Sequence, residues 1–85
     1  MLSIPKSVMS RTVDGEEVLL DLSGQAYFGL NESGSLVWRC LKAGRSPEEA
    51  AAALAKEFEV PLARARRDVA ALVRALKASG LLVER

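Results

Sequence analysis

Few residues in this sequence could do covalent chemistry, and none stands in a pattern that would let it. Histidine is absent from the 85 residues, and Cys40 is the single cysteine. A serine or cysteine nucleophile needs a base beside it, so here it would depend on an unusual lysine partner. Cys40 follows Trp38 by two residues and reads as a packed thiol behaving as a small hydrophobe. Zinc sites need several cysteine or histidine ligands, which are missing. Asp14, Glu16 and Glu17 could hold a cation weakly but read more simply as a solvated turn. Glu48 and Glu49 are explained by a helix N-terminus, where negative charge is favoured. Gly24, Gly29 and Gly34 do not make a phosphate-cradling loop. The expectation is a protein that is not an enzyme and holds no metal or cofactor.

The residues that could instead bind something fall in two stretches. Ala26-Tyr27-Phe28-Gly29-Leu30 is apolar and carries a glycine inside a strand pattern, which often marks a bulge or a close backbone approach. At the edge of a sheet such a strand could accept a peptide by β-augmentation. Phe28 as a core residue, with Tyr27 capping an exposed face, accounts for the stretch equally well. The second stretch is a helix between about Leu62 and Ser79. Beside its apolar stripe lie Arg64, Asp68, Ala71 and Ala75, with Arg67 just beyond. The short alanines would let another backbone come close, and the charges could fix a visitor. Good helix formers with solvated charges are the simpler account of this flank taken alone.

Three strands must position the first stretch. Ser7 to Val13 alternates weakly, and Asp14-Gly15 is a turn signal. Val18 to Leu22 follows, with Val18, Leu20 and Leu22 on one face. Ser23-Gly24-Gln25 makes the next turn, and Ala26, Phe28 and Leu30 then share one face of the third strand, with Tyr27 and Gly29 on the other. Short turns predict an antiparallel meander. Three helices follow. Asn31 is a ready N-cap, Val37, Trp38 and Leu41 share a face, and Gly44 ends the first helix. Ser46-Pro47-Glu48-Glu49 is a capping box with proline at the first helical position, opening a helix through Ala51, Leu54, Ala55 and Phe58. The third carries Ala65, Val69, Leu72, Val73 and Leu76 as its core stripe and stops at Gly80. Leu81-Leu82-Val83 is an apolar tail that could pack back. Strands first and helices after predict an α+β domain.

The whole chain, 1–85, is expected to be one domain, since 85 residues suffice for one small core. Twelve basic against eleven acidic residues leave a net charge of +1, which argues against a dedicated nucleic-acid binder. No apolar run nears the ~20 residues of a membrane span, and the first residues lack the apolar centre of a signal peptide. A single cysteine excludes an internal disulfide and suits a reducing, cytoplasmic setting.

The ordered set Val18-Leu19-Leu20-Asp21-Leu22, Tyr27-Phe28-Gly29-Leu30-Asn31-Glu32, Gly34 and Val37-Trp38 resembles the PqqD-like family. So does Ser46-Pro47-Glu48-Glu49, Leu54, Phe58-Glu59-Val60, Arg67-Asp68-Val69, Leu72, Leu76 and Gly80-Leu81-Leu82. No single motif decides it, but together they cover about residues 5–83. The resemblance implies a winged-helix-like fold, a three-stranded antiparallel sheet followed by three helices. Domains of this kind are RiPP recognition elements, which bind the leader of a ribosomally made precursor peptide as an added strand. Carried over, the peptide-binding residues would be Ala26, Tyr27, Phe28, Gly29 and Leu30 on the strand and Arg64, Arg67, Asp68, Ala71, Leu72 and Ala75 on the helix. The Leu-Asp-Leu and Tyr-Phe-Gly-Leu-Asn patterns look most like the stand-alone proteins of lasso-peptide clusters. Those deliver the leader to a separate cysteine-protease-like maturation enzyme. The partners so implied are that leader and that enzyme, with no nucleic acid, no membrane, and a monomer or weak homodimer. The uncapped start Val60-Pro61-Leu62 departs from the family pattern. A winged-helix nucleic-acid binder is the alternative, resting on the topology and on Arg64, Arg66, Arg67, Arg74 and Lys77.

Overall fold

The computed structural model of the protein describes residues 2–23 and 26–85. Its elements run β1 (Leu2–Ser3), β2 (Val8–Val13), β3 (Glu16–Asp21), β4 (Ala26–Gly29), α1 (Glu32–Lys42), α2 (Pro47–Phe58), α3 (Leu62–Ala78) and β5 (Val83–Glu84). The three expected strands are β2, β3 and β4, joined antiparallel in that order. The β2–β3 hairpin closes on two residues, Asp14 at φ 51° and Gly15 at φ 82°. Positive φ at both positions suits the right-handed twist of the flanking strands. Gly24 and Gln25 of the second expected turn, and the face taken by the Ala26 side chain, lie outside the described residues.

The β3 register decides which face is the core. Leu19 is fully buried, while Val18, Leu20 and Leu22 point the other way, with Leu20 and Leu22 exposed. The face that the alternation grouped as Val18, Leu20 and Leu22 is therefore the outer one. Glu17 is not part of a solvated turn: it is buried on the inner face. Its carboxylate accepts a hydrogen bond from the Thr12 hydroxyl and lies 3.6 Å from the Arg39 guanidinium. A charge taken out of water persists only when paired and hydrogen-bonded in this way.

The helices form where the capping residues direct. The Asn31 carboxamide oxygen accepts from the Gly34 N–H at 2.8 Å, opening α1. Ser46 and Glu49 close a reciprocal capping box at the start of α2, with Pro47 at its first turn. Glu59 ends α2 in the left-handed region at φ 54°, without the glycine usual there. The start of α3, at Pro61, has no side-chain cap, so the departure noted at Val60-Pro61-Leu62 is real.

α1 lies on the inner face of the sheet, and α2 packs against both α1 and α3. Trp38, Val37, Leu54, Val69 and Leu76 fill the space between them. Leu81 and Leu82 pack back into this core, as the tail pattern predicted. Beyond them β5 pairs antiparallel with β1, Leu2 opposite Glu84 and Ser3 opposite Val83. This two-residue clasp has no periodic signature and was not anticipated. Among the described residues no helix is long and apolar enough to cross a membrane.

Candidate peptide-binding site

β4 is an edge strand, and its hydrogen-bonding pattern determines what it offers. The Leu30 N–H donates to the Glu17 carbonyl at 2.9 Å, so Glu17 and Leu30 form a hydrogen-bonded pair. Alternation along an antiparallel ladder then makes Leu19↔Phe28 and Asp21↔Ala26 the other such pairs in the observed register. The intervening residues, Tyr27 and Gly29, turn their N–H and C=O groups away from β3, toward the free edge. A visiting strand would meet those two residues.

The end of that edge is held by a buried hydroxyl. Ser35, on the first turn of α1, is fully buried. Its Oγ accepts from the Glu17 N–H at 2.8 Å and donates to the Leu30 carbonyl at 3.3 Å. These two groups would otherwise bond each other, so the hydroxyl stands between the strands, ends their pairing and ties α1 to the sheet. Leu30 is thereby fully committed within the fold. Its side chain is buried and both its main-chain groups have partners, unlike Tyr27 and Gly29.

Beyond Leu30 the chain leads into a trough of about 380 Å3 between α1 and α3. Asn31, Ser33, Gly34 and Val37 line it from α1 and Leu54 from α2, with Arg64, Asp68, Ala71 and Leu72 from α3. A smaller recess of about 160 Å3 shares Ser33, Leu54, Arg64 and Asp68 and reaches Phe58 and Val60. Four of the six helix residues expected at the site are thus brought together. Arg67 and Ala75 do not line the trough; Arg67 is exposed and Ala75 half-buried. Arg64 and Asp68 form a loose pair at 3.9 Å on the rim, both more than half exposed. Pairs of this kind contribute about 0.2–1 kcal/mol, so a ligand could displace them readily.

Sequence reasoning missed the α1 wall and the Leu54–Phe58–Val60 end of the trough. Asn31 had a signal, as a cap, but it pointed to helix initiation. The two roles are linked: a Cβ on Gly34 would stand 3.2 Å from the Asn31 Oδ1, crowding both the cap and the trough wall.

Of the basic residues of α3, Arg66 pairs with Glu48 at 2.6 Å and Lys77 with Glu84 at 3.3 Å. Among the described residues no three or more potential metal ligands cluster. Cys40 is buried, as its position predicted.

A family model described as coenzyme PQQ synthesis protein D (PqqD) matches residues 16–82. The chain belongs to the PqqD family. Two solved structures extend the likeness of this PqqD-family protein over nearly its full length. TbiB1 in complex with the TbiA(beta) leader peptide aligns with a TM-score of 0.90 at 38% identity, over 96% of this chain and 95% of that one. Lasso peptide synthetase B1 complexed with the leader peptide aligns with a TM-score of 0.89 at 34% identity, over 98% of each. A comparison with curated proteins finds no match. The resemblance to PqqD-like RiPP recognition elements, and to those of lasso-peptide biosynthesis in particular, is borne out. Nothing in these comparisons supports the nucleic-acid-binding alternative.

Proposed function

We propose that this protein is a non-catalytic adaptor that binds the leader of a ribosomally synthesised precursor peptide. The leader adds as a strand along β4, hydrogen-bonding to Tyr27 and Gly29, and sends side chains into the trough beneath Arg64, Asp68, Ala71 and Leu72. The observation that carries this reading is an unpaired strand edge running directly into an open trough. Its support is the near-full-length similarity to two proteins whose structures hold leader peptides. Main-chain pairing gives an affinity tolerant of sequence, and the trough selects side chains. Arg67 and Ala75 would contact the leader only where it extends past the trough.

The bound leader is presented to a separate cysteine-protease-like maturation enzyme, with the whole chain acting as one domain in the cytoplasm. The apolar tail is not available for that partner, because Leu81 and Leu82 are used in the protein's own core.

Titration of the leader of a precursor peptide encoded beside the gene tests the reading. Ala71 is exposed on the trough wall, so Ala71→Arg should leave the unfolding midpoint within roughly 0.5 kcal/mol of the parent. It should weaken leader binding by about tenfold or more, the loss of about 1.4 kcal/mol. Unchanged affinity in a folded Ala71→Arg protein would remove the trough from the site.

A further inference from the structure

Gly29 has no structural reason to be glycine. Its φ lies outside the left-handed region that Gly15, Gly44 and Gly80 occupy. It pairs in regular register with Val18, with no bulge. A Cβ added there would meet nothing within 4 Å. The close internal approach that a strand glycine suggests is absent, and glycine inside a strand weakens it.

The surroundings of Gly29 indicate what the missing side chain leaves room for. On the outer face of the sheet one cross-strand row runs Arg11, Val18, Gly29, and the next runs Met9, Leu20, Tyr27. The second row is continuous and apolar, with Tyr27 three-quarters exposed. The first row breaks at Gly29. A depression of about 390 Å3 opens there, lined by Val13, Val18 and Leu30 together with the acidic residues Asp14, Glu16 and Glu17. Edge glycines in sheets are commonly covered by an aromatic residue on the neighbouring strand. β3 places only Val18 opposite, so no residue of β3 covers the gap.

We infer that Gly29 forms a notch for one long apolar side chain of the visiting peptide: leucine, methionine or an aromatic residue. This rests on the leader adding to β4, as proposed above. Gly29 turns its main-chain groups to the free edge, so a peptide residue pairs directly with it and projects its side chain on the same outer face. The visiting main chain lies two strand spacings, about 9–10 Å, from β3. A short side chain would stop over Gly29. A long one leans across it to reach Val18, with the Tyr27 ring alongside. The subsite is on the opposite face of β4 from the trough, so the leader would be gripped on both sides.

Gly29→Val and Gly29→Ala, read with an alanine scan of the TbiA(beta) leader peptide and of the leader encoded beside the gene, test the notch. Both variants should unfold at the parent's midpoint or above it, because the added atoms enter open space and favour a strand. Gly29→Val should bind roughly fivefold to tenfold more weakly, with Gly29→Ala between it and the parent. One long apolar leader residue should lose affinity on truncation against the parent protein and lose none against Gly29→Val. Parent-like binding by Gly29→Val, or a scan in which no residue couples to Gly29, would overturn the notch while leaving the leader reading intact. Failure of the parent protein to bind either peptide would overturn the leader reading itself.

Discussion

The two faces of the three-stranded sheet are built from similar residues and do different work. On the inner face Leu19 and Leu30 are sealed under α1, and the buried carboxylate there, Glu17, is paired. On the outer face Met9, Leu20 and Tyr27 form a cross-strand row left open to solvent. Leu19 and Leu20 are neighbours in sequence and identical in chemistry, yet one is fully buried and the other is 41% exposed. Strand alternation thus divides buried from open side chains one residue at a time. β4 shows the same division: Phe28 and Leu30 face the core, while Tyr27 and Gly29 hold the free edge.

The sharpest way to break this comparison is to truncate both leucines. Leu19→Ala should cost about 2–5 kcal/mol in urea unfolding, because it leaves a cavity in a closed core. Leu20→Ala should cost under about 1 kcal/mol, since its side chain is already partly in water. Equal losses would mean that the outer face carries packing of its own.

A smaller effect should come from the node joining the faces. Ser35→Ala removes the hydroxyl between the Glu17 N–H and the Leu30 carbonyl, leaving two buried main-chain groups to find each other or go unpaired. A loss of about 1–3 kcal/mol is expected, with faster amide exchange at Glu17. Unchanged stability and exchange would show that the strands close directly when the hydroxyl is gone.

The smallest effect lies away from both faces, on the exposed Arg66–Glu48 pair. The hydrogen bond from Arg66 holds the Glu48 carboxyl below the ordinary carboxylate range. A carboxylate lowered by folding stabilises the protein above its unfolded-state value, and that contribution is lost as pH falls through its folded value. Glu48→Gln should therefore make acid unfolding slightly less steep and leave stability at neutral pH almost unchanged, measured by unfolding midpoints across pH. A marked loss at neutral pH would show that this solvated pair matters more than its exposure implies.

Much of the architecture was legible because its signals are local. Asp14-Gly15, Asn31, Ser46 with Glu49, Gly44 and Gly80 each direct a turn or a helix end through their own main-chain preferences. The apolar period of α3 was equally clear. The end of α2 was harder to read, because Glu59 takes a left-handed conformation that only its surroundings can hold. The β1–β5 clasp was missed because two-residue pairings leave no pattern. At the candidate site, Arg64, Asp68, Ala71 and Leu72 line the trough from α3, the helix flank that the sequence had singled out. Their partners Asn31, Ser33 and Val37 belong to another element, and no spacing rule links the two. Glu17 was misplaced because its burial depends on Thr12 of β2 and on Ser35 and Arg39 of α1 arriving from two other elements.

By itself the sequence determined the order of strands and helices, the caps that bound them, the lack of histidine and the single cysteine. These follow from residue types and from interactions within a few positions, where the chain has little choice. Tertiary structure alone decided which face of β3 went inside, which two residues of β4 kept free main-chain groups, and which helices closed the trough. Those outcomes depend on contacts between residues distant in sequence, where burial and hydrogen-bond satisfaction are settled only once all the elements have packed.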